Sequence, residues 1–546
     1  MPAWRGVFAW FGLVPLILAV LYEADAGNQG KGKPERVLRR GFLVGYLAGV
    51  LWYMGNCYWI YDTMLIHGHL SPVISLLLLI GYSLVLGAYF GLFTLGIVLI
   101  KRATGSMRWA LLAAPIIWTG LDLLAARFTS VPWDQLGYSQ VDNALMTQLA
   151  PWMGVYGITF VLVAANALLA SSILLRCDKF RRGFAIAGVL LMAIGVGGLL
   201  LKPVQPATEA TAMLVQPNLD VTEDNLWRGA EWDQQMADFT RLAYDQCNAS
   251  KYIPGIPELE KSVVVPKCLS QEHDAQQKPP ALVAWPESPA QFYELDKHFQ
   301  NSMALVARSV QAPMVVGGIG INYDEQENLY HYYNSGMVFG ADGSPAGRYD
   351  KIHLVPYGEY IPFQKLFSFA HKLTGRVASM TPGAERKVFR LNGHYYGVFI
   401  CYEAVFADEI RHFAELGGEV FVNISDDGWY GDTSAPWQHL NMTRMRAIEN
   451  RRWIVRATND GVTAAIDPYG RVRQSIERHK RGALAANFGY ATERTFYTMH
   501  GDVFAWICAI LSVVGVGWAA RKLLRIYLDD SRISSKSSNK TGKPKS

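Results

Sequence analysis

Apolar residues are distributed unevenly along this chain of 546 residues. They are concentrated in residues 7–201 and 503–520, whereas residues 207–493 have the mixed composition of a globular domain. A helix needs about 20 mainly apolar residues to cross a bilayer. By that criterion the sequence predicts seven membrane spans, at residues 7–22, 42–60, 73–100, 109–126, 152–175, 184–201 and 503–520. The pattern therefore predicts a multi-span α-helical membrane protein that carries one large soluble domain.

The basic residues predict how these spans are oriented, because cytoplasmic loops carry an excess of Lys and Arg. Basic residues cluster in the loops at 23–41, 101–108 and 176–182 and in the tail after residue 520, whereas the loop at 61–72 has none. Alternate loops and the tail are therefore predicted to be cytoplasmic. The large soluble domain is then expected outside, in the periplasm of a bacterium.

Composition agrees with this organisation. Hydrophobic residues make up 51% of the chain and charged residues 18%, with a net charge of +5. The tail alone carries eight basic residues against two acidic ones, a surplus of six, so the charge requires no nucleic-acid partner. We expect a membrane domain at residues 1–206 with six spans, a catalytic domain at 207–493 with an insertion near 247–280, and a final span with a basic tail at 494–546.

The soluble domain alternates short β segments with helical patterns. Segments rich in Val, Ile and Phe lie at 211–218, 281–288, 312–321, 334–343, 395–403, 418–427, 453–461 and 463–470. Helical patterns occupy 231–246, 295–310, 403–416 and 436–452. This alternation indicates an α/β or layered αβ domain. Catalytic residues in such sheets tend to lie at strand ends.

Three of these positions carry candidate chemistry. Glu287 follows an apolar segment in "AWPES", Lys351 and Glu359 lie in "GRYDKIHLVPYGEYIP", and Cys401 ends the run "GVFIC". Each has a simpler interpretation, since a cysteine at this place is often a buried packing residue and a loop lysine or glutamate is often solvated. Together they can form a reactive set, with Cys401 as the nucleophile, Glu287 as the general base and Lys351 as the charge that stabilises thiolate and oxyanion.

Glu, Lys and Cys in this order resemble the nitrilase superfamily, whose fold is an αββα sandwich. The flanking stretches "VPYGEYIP", "CYE", "DDGWYG", "WQHLNMTRMRAIENRRWIVRATNDG" and "PWDQLGYSQ" are similar to those of the apolipoprotein N-acyltransferases. The resemblance extends from about residue 40 to about residue 520. It implies a multi-pass enzyme of the bacterial inner membrane with a periplasmic catalytic domain. That enzyme transfers an acyl chain from a phospholipid, through a thioester on Cys401, to the N-terminal amine of diacylglyceryl apolipoproteins.

The resemblance also implies supporting roles. Glu359 is expected to position Lys351, Tyr402 and Glu403 match residues after the nucleophile, and Asn334 matches an asparagine near the site. Trp227 resembles the tryptophan of a mobile lid arm, and a core aromatic is the alternative interpretation. One departure lies close to the site, because Asp426 stands where the family more often has Asn.

We expect no cofactor, no metal ion and a monomer whose partners are the two lipid substrates and the membrane. A membrane-anchored nitrilase-like amidase with water as acceptor is an alternative, and so is a transporter with an outer binding module. The oxidising side of the membrane also predicts a disulfide between Cys247 and Cys268, which bracket the insertion.

Overall fold

The computed structural model describes residues 4–26, 34–175, 178–201, 204–221, 230–244, 279–288, 290, 292–326, 328–356, 358–360 and 380–540. The chain divides into two compact units. The first contains Met1–Tyr58, Leu76–Leu201 and Asp502–Ser546, and the second contains Trp59–Ser75 and Lys202–Gly501. Residues 207–493 lie within the second unit. The segment Trp59–Ser75, which consists mainly of the loop predicted at 61–72 within the membrane domain, also belongs to the second unit.

The first unit is helical. Its helices are α1 (Trp4–Phe8), α2 (Val14–Ala26), α3 (Pro34–Asn56), α5 (Pro72–Thr104, whose first residues belong to the second unit), α6 (Met107–Phe128), α7 (Ala150–Leu174), α8 (Asp178–Gly197) and α14 (Val503–Lys540). Helices α4 (Trp59–Ile66) and α13 (Phe496–His500) belong to the second unit. Among the described residues, five helices are long and apolar enough to cross a membrane: Pro72–Thr104, Met107–Phe128, Met146–Leu174, Lys179–Leu200 and Val503–Asp529.

These five helices coincide with five of the seven predicted spans. The first predicted span is divided between α1 and α2, and α2 has only 13 residues, fewer than a bilayer requires. The second predicted span falls on α3, whose first turns are charged. In the break before α2, the Asn166 side chain accepts from the Leu13 amide (2.8 Å) and donates to the Ala9 carbonyl (2.9 Å). The break thus keeps its backbone polar groups paired. The two remaining spans stay predictions.

The second unit is built on two six-stranded sheets. The first has the order β12 (Gly482–Phe488), β1 (Ala210–Gln216), β2 (Leu282–Ala284), β3 (Met314–Asp324), β4 (Leu329–Phe339) and β5 (Pro345–Asp350). The second has the order β11 (Val472–Ile476), β10 (Thr463–Ile466), β9 (Trp453–Thr458), β8 (Val420–Ser425), β7 (His394–Ile400) and β6 (Val388–Leu391). Strands β1 to β3 are parallel to one another, and so are β7 to β9.

Side-chain alternation on the strands explains the layers. On β1, Leu214 enters a core shared with Val398 and Ile424 of the other sheet, whereas Val215 enters a second core shared with Phe239. Phe239 lies on α9 (Ala230–Tyr244), which covers the outer face of the first sheet together with α10 (Lys297–Val310). On the second sheet, α11 (Ala407–Glu415) and α12 (Ala435–Asn450) pack against the strands. The order helix, sheet, sheet, helix confirms the predicted αββα sandwich.

All eight predicted β segments contain strands of the structure, and the four helical patterns contain helices. The prediction lacked β5, β6, β11 and β12. Strands β5, β6 and β11 are partly exposed and carry few consecutive apolar residues, and the apolar run of β12 is short and mostly alanine, so none of the four gives a clear hydrophobic signal. Both sets of parallel strands end in the polar residues that form the candidate site.

Candidate active site

Cys401 follows directly after the last residue of β7 and opens a 3₁₀ turn, Cys401–Val405. The side chain is 5% exposed, and its backbone φ is +48°. A residue other than glycine pays on the order of 1–3 kcal/mol for such a conformation, and residues of this kind cluster at functional sites. Cys401 is therefore a buried residue, but it occupies a strained turn rather than a regular strand position.

Glu403 holds this turn against the neighbouring segment that carries the lysine. Its Oε2 accepts from the Ile400 amide (2.8 Å), and its Oε1 accepts from the Tyr349 hydroxyl (2.7 Å) and the Ile352 amide (2.7 Å). Burial raises the pKa of Glu403 to about 7, although these hydrogen bonds act in the opposite direction. The carboxyl group thus ties the turn of Cys401 to the residues on either side of Lys351.

Lys351 lies just after β5 and is 1% exposed. Its Nζ donates to Glu287 Oε1 (2.9 Å) and lies 3.0 Å from Glu359 Oε2. Burial lowers the pKa of Lys351, but Glu287 and Glu359 raise it, and the pKa lies well above its usual value. The side chain is therefore a buried cation held between two carboxylates.

Asn334 on β4 completes this polar group. Its Nδ2 donates to Glu287 Oε1 (2.7 Å) and to Glu359 Oε1 (2.5 Å). Glu359 also accepts from the Val355 amide through Oε2 (2.7 Å). The structure thus brings together four residues that the sequence places in three separate motifs. Glu359 contacts Lys351 as a positioning residue would.

Glu287 follows β2 and is 7% exposed. Besides its contacts with Lys351 and Asn334, its Oε2 accepts from the backbone amide of Asp426 (3.0 Å). Burial raises the pKa of Asp426 well above its usual value, and the nearby Glu287 raises it further. This shift favours the neutral form of Asp426, which places less negative charge beside Glu287 than an aspartate with an ordinary pKa would.

The Cys401 thiol lies within the electrostatic reach of this group. Burial raises its pKa, Glu287 raises it further, and Lys351 together with a side-chain hydrogen bond between Cys401 and Ser425 lowers it. The net pKa is well above that of an ordinary thiol. Lys351 thus acts in the predicted direction, but burial has the larger effect. The raised pKa favours the neutral thiol, so a reaction through this sulfur would need a base to remove its proton.

Sequence reasoning missed a second buried group next to Cys401, formed by Asp427, His439 and Arg456. His439 Nδ1 lies 2.8 Å from Asp427 Oδ1, and Arg456 Nη2 lies 2.6 Å from Asp427 Oδ2. Burial alone would raise the pKa of Asp427, but Arg456 and His439 hold it well below its usual range. All three residues lie in stretches quoted for the family resemblance, although no pattern of spacing indicated that they meet.

Of the other predicted residues, the structure describes Tyr402 but not Trp227, Cys247 or Cys268. Tyr402 is buried, and its ring packs edge-on against Phe406 at 5.3 Å. Trp227, Cys247 and Cys268 lie outside the described residues, as does the insertion between residues 247 and 278. The lid role and the disulfide therefore stay predictions.

Two family models match the chain. An apolipoprotein N-acyltransferase N-terminal domain matches residues 2–168, and a carbon-nitrogen hydrolase domain matches residues 241–492. Among solved structures, an amidase of the nitrilase superfamily from Nesterenkonia AN1 aligns over 53% of this chain and 93% of its own, with 15% identity and a TM-score of 0.34. The family model thus assigns residues 241–492, within the second unit, to the carbon-nitrogen hydrolase domains.

Full-length relatives give a narrower assignment. The apolipoprotein N-acyltransferase of Geobacter metallireducens is 30% identical over 531 residues, covering 94% of this chain and 91% of the relative. That of Methylococcus capsulatus is 30% identical over 533 residues, covering 94% of each. The chain belongs to the apolipoprotein N-acyltransferase family, and it is an enzyme of the nitrilase superfamily.

Proposed function

We propose that this chain transfers an acyl group from a membrane phospholipid to the N-terminal amine of diacylglyceryl apolipoproteins, with Glu287, Lys351 and Cys401 as the catalytic residues. The observation that carries the assignment of residues is the buried cluster in which Lys351 Nζ contacts Glu287 at 2.9 Å beside the strained turn of Cys401. Family membership supports the reaction, and the five apolar helices support substrates that lie in a membrane.

The first half-reaction forms a thioester. Glu287 takes the proton of the Cys401 thiol, and the sulfur attacks the carbonyl carbon of the sn-1 ester. Lys351 and the Tyr402 backbone N–H stabilise the oxyanion of the tetrahedral intermediate. The intermediate collapses with cleavage of the ester C–O bond, and the leaving oxygen takes the proton from Glu287. The products are the acylated cysteine and a lysophospholipid.

The second half-reaction transfers the acyl group. The neutral N-terminal amine of the apolipoprotein attacks the thioester carbonyl, and Glu287 accepts one of its protons. Cleavage of the C–S bond gives the amide, and the Cys401 sulfur recovers a proton. Glu287 thus serves as the base in both halves of a ping-pong reaction, and the resting neutral thiol is regenerated.

The reaction sets the location and the partners of the enzyme. We infer a multi-pass protein of the bacterial inner membrane that acts as a monomer, with its catalytic domain at residues 207–493 in the periplasm. Its partners are the phospholipid donor and the apolipoprotein acceptor. The alternation of basic loops and the five apolar helices support this orientation.

Intact-mass analysis tests the proposal with the purified chain and phospholipid alone. We expect a mass increase of one acyl chain, located on Cys401 by peptide mapping, and its loss when a diacylglyceryl peptide is added. Cys401→Ser provides the control, since its hydroxyl is much harder to deprotonate than a thiol. An acyl adduct on another residue, or none in the native chain, would contradict the proposed mechanism.

The alternative, a membrane-anchored amidase, predicts that water is the acceptor. The acyl adduct would then decay without a lipoprotein peptide, and free fatty acid would accumulate. Measuring lysophospholipid and fatty acid with and without the peptide distinguishes the two reactions. Family membership favours the transferase.

A further inference from the structure

The backbone of the candidate nucleophile is held by a buried histidine. Cys401 has a φ of +48°, which an L-residue adopts only when its surroundings maintain it. His439 Nε2 lies 2.9 Å from the carbonyl oxygen of Cys401. A carbonyl oxygen only accepts hydrogen bonds, so Nε2 carries a hydrogen and donates it. The contact therefore acts on the peptide unit of the strained residue itself.

The histidine is in turn fixed from its other side. His439 lies on α12 and is fully buried, and its Nδ1 lies 2.8 Å from Asp427 Oδ1. Asp427 follows β8 and also pairs with Arg456 of β9 (2.6 Å), and both side chains are buried. Tyr430 lies edge-on to the His439 ring at 6.1 Å. Three elements thus determine the direction in which the His439 N–H points.

We propose that His439 is a positioning residue for the candidate nucleophile, because its Nε2–H holds the Cys401 carbonyl and with it the left-handed turn. This orientation sets the direction of the Cys401 side chain and of the Tyr402 N–H that follows that carbonyl. His439 does not contact the substrate in this role. The proposal rests on the proposed function of Cys401 as the nucleophile.

Two substitutions separate this role from general packing. The amide nitrogen of Gln can take the place of the imidazole Nε2, whereas that of Asn takes the place of Nδ1. His439→Gln therefore keeps a donor to the Cys401 carbonyl, and His439→Asn loses it. Asn450→Ala is the matched control, because Asn450 is buried on the same helix. Its side chain donates to the Arg446 carbonyl (3.0 Å) and accepts from the Thr498 hydroxyl (2.9 Å), so the change perturbs the packing of the helix away from His439.

The measurement is the rate at which iodoacetamide alkylates Cys401 in the full chain, followed by peptide mass spectrometry, with the melting temperature of each variant recorded. No lipid is needed, so the result does not depend on the acyl-transfer reaction. We expect Cys401 to be alkylated about tenfold more slowly in His439→Asn than in the native chain, because the buried Cys401 carbonyl loses its hydrogen-bond donor. His439→Gln and Asn450→Ala should stay within about threefold of the native rate, on the same scale.

An alkylation rate of His439→Asn within about twofold of the native rate would overturn the proposal. If His439→Asn does not fold, His439→Gln decides alone, because it retains the donor. A rate near the native value then supports the proposal, and a loss of about tenfold or more overturns it. Absence of the acyl adduct in the native chain would refute the proposed function but leave this test of Cys401 positioning intact.

Discussion

At the scale of single residues, the candidate site depends on one buried cation between two carboxylates. Lys351 Nζ lies 2.9 Å from Glu287 and 3.0 Å from Glu359. Removing the ammonium would leave two buried carboxylates close together with no counter-charge. Removing one carboxylate would leave Lys351 paired with the other. The four polar residues of the site should therefore respond differently to substitution.

We expect Lys351→Met to reduce thioester formation by a factor on the order of 10²–10³, the cost of losing one oxyanion donor, and thus to be as damaging as Cys401→Ser in practice. Glu287→Gln should slow both half-reactions. Glu359→Gln should cost less, because Lys351 keeps its contact with Glu287. Single-turnover acylation gives the order, and Lys387→Met on the surface is the control. Near-normal acylation of Lys351→Met would show that this charge is not part of the mechanism.

The raised pKa of Cys401 predicts a pH profile for its reaction with a neutral alkylating reagent. A raised pKa lowers the thiolate fraction at neutral pH, so the rate should still be rising above pH 9.0, the ordinary value for this group. Glu287→Gln removes a carboxylate that raises this pKa and should move the profile to lower pH. The rate of alkylation of Cys401 from pH 6 to pH 10, followed by peptide mass spectrometry, checks both shifts. A plateau in the native rate below about pH 8 would contradict the prediction.

At the scale of structural elements, the turn after β7 is held by side chains from several directions. Glu403 binds the amide of Ile400 and the amide of Ile352, and His439 binds the carbonyl of Cys401. Strand ends from both sheets therefore converge on one strained turn. A loss at any of these contacts should affect the geometry of Cys401 before it affects the sandwich.

Glu403→Gln tests this at one contact. The carboxylate accepts hydrogen bonds through both oxygens. An amide has only one oxygen, so its NH2 group must face one of these donors: either the Ile400 N–H, or the Tyr349 hydroxyl and the Ile352 N–H. The variant should lose about 1–3 kcal/mol of stability, the cost of an unsatisfied buried group, and should acylate more slowly. Thermal denaturation and single-turnover acylation measure the two effects. Glu415→Gln, at a half-exposed ion pair on α11, should change neither. An unchanged melting temperature for Glu403→Gln would refute the positioning role.

At the scale of the whole molecule, two units meet different physical requirements. The first unit presents long apolar helices that suit a bilayer, and the second unit has the two cores of a sandwich. A reaction between two lipids benefits from a catalytic domain tethered to the membrane, because both substrates are then at high local concentration.

The predicted topology can be tested by labelling with a membrane-impermeant maleimide. A cysteine at the exposed position Asn301 should react from the periplasmic side in intact cells with a permeable outer membrane. A cysteine at the exposed position Lys179 should react only after the inner membrane is opened. The basic loops motivate this expectation, since 176–182 is one of them. The reverse labelling pattern would invert the whole topology.

The length of apolar runs was enough to predict five helices that could span a membrane. The alternation of strands and helices predicted an α/β or layered αβ domain, and the resemblance to the nitrilase superfamily predicted the αββα sandwich. The order of Glu287, Lys351 and Cys401 identified candidates whose side chains the structure places in one region. These features depend on local composition or on motifs, which a linear sequence records directly. The apolar run did not show that the first predicted span is divided in the structure. The backbone at that break is paired by Asn166, which lies far away in the sequence on another helix.

Only the tertiary structure decided how the site is held and charged. Asp427, His439 and Arg456 are separated along the chain and meet because β8, α12 and β9 are neighbours in the sandwich. The strands β5 and β11 became visible only through their partners, since partly exposed strands lack an apolar run. Burial, which no single stretch of sequence specifies, keeps the Cys401 thiol neutral despite the nearby Lys351. The sequence thus determined which groups are present, and packing determined their distances and their protonation, because both depend on residues far apart in the chain.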